Sequence, residues 1–196
     1  LGTPCEGGGG GSIGARAARD LAVTTTFQPG SGGGGGGSLC LFASSSPSCP
    51  ASMGYTPSTG GGGGGGGGAL RIASATRVTV RGGLRARGGD GGLGVPGRSG
   101  GGGGGSGGVI DLYAPLLDIT GNLDASGGPG GQSSRTMGML RCEAHGGNGG
   151  PGRIRISTQT ARCSLTGTLT PQSPSGCAAS PDGGVAGNSF VTEYPN

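Results

Sequence analysis

The stretch "GGGGGGGGGALRIASATRVTVRGGLRARGGDGG" (residues 60–92) sets nine unbroken glycines directly against an alternating apolar segment. A glycine run is either a slack tether or regular structure that only a chain without side chains can form. Tethers usually mix Gly with Ser and lie between domains. These glycines instead recur at one phase of an internal repeat. "GGGGGGSLCLFA" (32–43), "GGGGGGGGALRIA" (61–73), "GGSGGVIDLYA" (104–114) and "GGNGGPGRIRIS" (146–157) each run from glycines into a short strand. In the last three, a second segment follows: "VTVRGGLRARGG" (78–89), "LDITGNLDASGG" (117–128) and "CSLTGTLTPQSP" (163–174). Such self-similarity is the mark of a repeat architecture.

Within each segment the apolar residues keep one parity: Leu70/Ile72, Val78/Val80, Ile110/Leu112, Leu117/Ile119, Ile154/Ile156 and Leu165. A period of two is that of a half-buried strand. The strand starts Leu39, Leu70, Ile110 and Ile154 lie 31, 40 and 44 residues apart, so inserts vary while strand pairs persist. Gly82-Gly83, Gly121-Asn122 and Gly167-Thr168 fall at equivalent places. They suit either a two-residue hairpin turn, which asks for positive φ, or the corner of a solenoid coil. "IGARAARDLA" (13–22) is the one short helical candidate.

Composition limits what else the chain can be. Of 196 residues 56 are Gly, 30% are apolar and 3% aromatic, with no Trp and no Lys. Globular domains run at roughly 45–50% apolar, so a side-chain core can hold only part of this chain. Each ordered glycine also costs about 1–2 kcal/mol of backbone entropy. The glycines therefore need backbone hydrogen bonds. An extended helix of the polyproline II kind has three residues per turn and no internal hydrogen bonds. Its N–H and C=O groups point outward, and bare glycine backbones approach closely enough to bond one another. The expected fold is all-β: a short-strand β-repeat, solenoid-like or sandwich, with the Gly runs packed as extended polyglycine II-type helices. Residues 1–31 form an N-terminal Gly run and strand arm, 32–176 the repeat body, and 177–196 a C-terminal strand tail.

Cys5, Cys40, Cys49, Cys142, Cys163 and Cys177 make an even count in a chain short of apolar residues. That reads as disulfides and an oxidising compartment. Cys40–Cys49 and Cys163–Cys177 can close small loops and leave Cys5 for Cys142, one pairing among those six cysteines allow. Paired C-x-x-C spacing for zinc is absent. The chain begins at Leu1, with no apolar stretch long enough for a membrane span. It reads as an exported product whose signal peptide has been removed.

The runs 32–37, 60–68 and 100–105 resemble the polyglycine II assemblies of a springtail antifreeze protein and of phage tail-tip adhesins. Those families often keep Gly at every third position with other residues between, whereas these runs are unbroken. Residues 60–170 also look like the repeats of large secreted Gly-rich surface proteins of bacteria. The resemblance implies an exported structural or surface role and carries over no catalytic residues.

No chemistry survives weighing. His145, three residues after Cys142, is a single histidine, thin for a metal site, and a disulfide would consume its thiol partner. Asp111/Asp118 and Asp118/Asp124 lack a calcium-loop ligand series. "GGDGGLGVPG" lacks the Lys-Ser/Thr of a phosphate loop. No cofactor and no metal are expected. The net charge is +4, with one basic cluster of Arg71, Arg77, Arg81, Arg85 and Arg87. On alternating strands it reads as a solvated face; with no aromatics beside it for base stacking, nucleic acid is not the partner. Ice binding would call for Thr ladders, and only Thr24–Thr26 comes near.

Strand-like termini carry Val23, Thr25 and Phe27 at one end and Phe190, Thr192 and Tyr194 at the other. An edge strand is a template for another copy, and head-to-tail addition makes open filaments; otherwise these strands close the body's own sheet. The expectation is an extracellular, non-enzymatic filament or surface-layer subunit whose partner is itself. The alternative is an adhesin displaying loops such as "SSSPSCPASMGYTPST" (44–59) to a glycan or cell-surface ligand.

Overall fold

The structure, a computed structural model, describes residues 29–37, 60–94, 99–133, 145–159, 162–172 and 189–193. Their regular structure is entirely strand: β1 (Ala69–Ala73), β2 (Arg77–Val80), β3 (Gly83–Arg85), β4 (Val109–Tyr113), β5 (Leu116–Ile119), β6 (Asn122–Asp124), β7 (Arg153–Thr158), β8 (Cys163–Leu165), β9 (Leu169–Thr170) and β10 (Ser189–Glu193). Every pairing is parallel. Three sheets result, ordered β1-β4-β7-β10, β2-β5-β8 and β3-β6-β9.

The register follows the sequence alignment. Leu70 pairs with Ile110 and Ile110 with Ile154. Val78 pairs with Leu117 and Leu117 with Cys163. The parity set turns inward, and Val78, Val80, Ile110, Leu112, Leu117, Ile119, Leu123, Ile154, Ile156 and Leu169 form one thin core between the sheets. Its largest fully buried apolar members, Ile110, Leu112, Leu117, Ile119, Leu123, Ile154 and Ile156, lie on β4, β5, β6 and β7, the strands with a paired neighbour on each side.

The hairpin alternative falls. β2 and β3 belong to different sheets, and Gly82, Gly121 and Gly167 all lie outside the left-handed φ region. Close stacking is what these positions require: a Cβ on Gly121 would overlap the Gly82 carbonyl oxygen, and one on Gly167 the Gly121 oxygen. Gly121 N–H and Gly167 N–H instead donate to the Val80 and Ile119 carbonyls at 2.9 and 3.0 Å.

The described glycine runs are ordered. Six segments, numbered I (30–37), II (60–68), III (86–94), IV (99–108), V (125–132) and VI (146–152), are joined by main-chain bonds. Gly30, Gly33 and Gly36 N–H donate to Gly67, Gly64 and Gly61 O at 2.7, 2.8 and 2.7 Å, so I and II are antiparallel. Gly61, Gly64 and Gly67 N–H donate to Gly100, Gly103 and Ser106 O at 3.0, 2.8 and 2.8 Å, so II and IV are parallel. The bonds recur every third residue, a spacing neither a strand (two) nor an α-helix (3.6) has. Side-chain room keeps the same period. A Cβ on Gly61, Gly64 or Gly67 would overlap carbonyls of segment III, one on Gly60, Gly63 or Gly66 would overlap segment I, and one on Gly62, Gly65 or Gly68 meets nothing within 4 Å.

Candidate functional site

The acids foreseen as carboxylate pairs stand in charge ladders between units. Register sets Arg71, Asp111 and Arg155 side by side on β1, β4 and β7. Arg71 Nε lies 3.5 Å from Asp111 Oδ2, and its guanidinium also sits 5.7 Å from the Tyr113 ring centroid. Arg77 lies 3.6 Å from Asp118, and Arg87 donates to Asp90 at 3.1 Å. Exposed pairs like the last two contribute less than about 1 kcal/mol each. Three arginines of the basic cluster thus face acids, and the stripe is a mixed, largely solvated face. Among the described residues no three His, Cys, Asp or Glu gather as a metal site, and His145 is exposed.

Asp111 is buried, and its Oδ1 accepts no hydrogen bond. Burial pushes its carboxyl above the ordinary 3.8; the guanidiniums of Arg155 and Arg71 pull it down without offsetting that. A carboxyl raised in the fold holds its proton more tightly there than in the unfolded chain. Its contribution to stability is therefore fully present below the unfolded value and is lost as pH rises through the folded one. Asp124 behaves oppositely: burial raises it, but the Ser126 hydrogen bonds, Arg87 and Arg85 bring it below 3.8, so its contribution is lost in more acid solution. The two windows separate. Asp111→Asn is expected to remove the fall in melting temperature with rising pH above 3.8, seen in thermal melts at stepped pH.

The sheets end in strand edges. Among the described residues β1, β2 and β3 each have one paired neighbour and leave one edge open at one end of the stack; β10, β8 and β9 do so at the other. Phe190 and Thr192 lie on β10, which extends the chain's own first sheet, opposite Arg155 and Ser157. Val23, Thr25, Phe27 and Tyr194 lie outside the described residues, as do the strand at Leu39 and the helical candidate 13–22.

The inserts share one place. Gly36 bonds Gly61, Gly61 bonds Gly100, Gly94 bridges Ser133, and Gly146 bonds Gly131. Inserts 38–59, 95–98 and 134–144 therefore all leave and rejoin the glycine segments at one end, away from the strands. Cys40, Cys49 and Cys142 belong to these inserts. With Cys5 and Cys177 they lie outside the described residues, whereas Cys163 opens β8, packs against the core and has no free thiol. The in-register ladder escaped sequence reasoning, although its signal was present: Arg71, Asp111 and Arg155 each follow the first apolar residue of their unit.

No helix among the described residues is long and apolar enough to cross a membrane. No protein-family model, characterised protein or solved structure matches the chain. Among the described residues the fold is thus all-β, with parallel sheets joined by hydrogen-bonded glycine segments.

Proposed function

We propose that the protein is an exported structural subunit of an extracellular filament or surface layer. Its units stack as solenoid coils, its glycine segments pack as polyglycine II-type helices, and disulfides staple the remainder. Its role is mechanical, not enzymatic. One observation carries this reading: three parallel sheets that run in register through the stack and end in open edges, among the described residues. A second copy adding to such an edge repeats the bonding already used between units, and that heterologous contact does not close. Negative-stain microscopy across a concentration series is the test. Filaments or sheets are expected, and monodisperse monomers at high concentration would sink the proposal.

A second reading, an adhesin, is favoured by the inserts 38–59, 95–98 and 134–144 gathering at one end of the glycine segments. Such an end can display loops to a glycan or cell-surface ligand while the stack serves as support. Exchanging 38–59 for an unrelated loop then alters binding and leaves assembly intact.

A further inference from the structure

The two ends of the stack do not match. β1, β2 and β3 begin their sheets on one level, because each pairs with a strand of the same next unit, β4, β5 or β6. At the other end β7, β8 and β9 form the last complete unit. There β10 adds a fourth strand to the first sheet alone, among the described residues. It therefore stands one strand spacing, about 4.8 Å, beyond β8 and β9. A second copy cannot bring β1, β2 and β3 onto all three sheet ends while β10 is in place.

β10 is also attached differently from the strands it continues. β1, β4 and β7 directly follow glycine segments II, IV and VI, which main-chain bonds hold to their neighbours. β10 follows residues 171–188, which contain no run of three glycines. Register shows what it replaces. Opposite Ile154 and Ile156, β4 sets Ile110 and Leu112, and all four are fully buried. On the other side of β7 the matching positions belong to Ser189 and Val191. A second copy's β1, in the register used within the stack, brings Leu70 and Ile72 to those positions, and both are only half-buried in the subunit. Exchanging β10 for that strand removes further apolar surface from water. It also sets Arg71 opposite Arg155, a cross-strand like-charge pair that opposes the exchange by less than burial of two apolar side chains favours it.

We propose that β10 is a detachable cap: it occupies the edge of β7 on which the next copy's β1 seats, and it leaves when subunits join. The inference rests on the filament reading and gives that assembly its control.

The main chain supplies a variant that loosens the cap. Arg153 N–H donates to Gly108 O and Ala114 N–H to Ser157 O, so odd-numbered residues of β7 turn their main-chain groups to β4 and even-numbered ones to β10. In the parallel register the main-chain groups of Phe190 and Thr192 then turn to β7, and Thr192→Pro removes a donor from that pairing. Light scattering and negative-stain microscopy over a concentration series compare the parent, Thr192→Pro and a chain ending at Asn188. Both variants are expected to form filaments at a concentration at least about tenfold below the parent's. A synthetic peptide of residues 187–196, added in excess, is expected to return the truncated chain to the parent's onset. Thr192→Pro leaves every other strand unaltered, so its onset decides the matter even where the truncated chain fails to fold. An onset unchanged or raised in Thr192→Pro, beside a parent that assembles, overturns the inference and makes β10 part of the joint. Parent and variants that all stay monomeric remove the filament itself, and the cap with it.

Discussion

Gly105→Val is expected to abolish the folded state. Gly105 lies in segment IV, and a Cβ there would stand under 3.0 Å from the Gly65 carbonyl carbon and oxygen. Both are backbone atoms, so no rotamer change relieves the overlap. Segment II cannot retreat either. It accepts Gly30, Gly33 and Gly36 N–H on one flank and Gly89 and Gly92 N–H on another, and its own Gly61, Gly64 and Gly67 N–H anchor it to IV. Moving it breaks a row of bonds whose carbonyls lie in the interior, each costing about 1–3 kcal/mol when left unmade. The substitution should cost more than about 4 kcal/mol, the range reached only by severe disruptions, against a total stability of about 5–15 kcal/mol. Gly62→Ala is the control. A Cβ there meets nothing within 4 Å, so the change is expected to be neutral or to stabilise by up to about 1 kcal/mol through the unfolded chain. Circular dichroism melts and soluble yield separate the two. If Gly105→Val melts within a few degrees of the parent, these glycines do not form the interior.

Where period and phase repeat, the sequence was legible. The parity of Leu70/Ile72, Ile110/Leu112 and Ile154/Ile156 predicted which residues turn inward, and aligning the units predicted the register between them. Recurrence of glycine before a strand separated order from tether for runs 60–68 and 100–105, because a tether has no reason to keep phase with a strand; run 32–37 is ordered too, but it lies antiparallel to 60–68 and departs from the phase read in the sequence. Two features lay beyond that reasoning. Gly82-Gly83 is compatible with hairpin and corner alike, because local chemistry is the same in both and only long-range pairing decides. The pairing of Arg71 with Asp111 and Arg77 with Asp118 needed the register first; read alone, the same acids look like a carboxylate pair.

Ala73→Pro is expected to prevent filament growth while leaving the subunit folded. Val109 N–H donates to Gly68 O and Ser74 N–H to Tyr113 O, so even-numbered residues of β1 turn their main-chain groups toward β4. Odd-numbered residues 69, 71 and 73 therefore turn theirs away from β4, to the edge that carries no further strand among the described residues, and a proline at 73 removes only an N–H on that side. Ala73 is exposed, and Ile72 before it is already in a strand, the conformation a following proline favours. Proline is tolerated at such edge positions, so the melting midpoint should shift by less than about 1 kcal/mol. At the junction the same ring takes away a donor and crowds the incoming strand, so microscopy should show dispersed particles where the parent forms filaments. Ile72→Pro supplies the contrast: it removes a ladder hydrogen bond toward β4 and should cost about 1–3 kcal/mol of stability in the subunit itself. Filaments of Ala73→Pro indistinguishable from the parent would move the junction away from β1. The contact would then have to use the opposite edges alone or the insert-bearing end, and the same main-chain bonding could no longer run both within and between subunits.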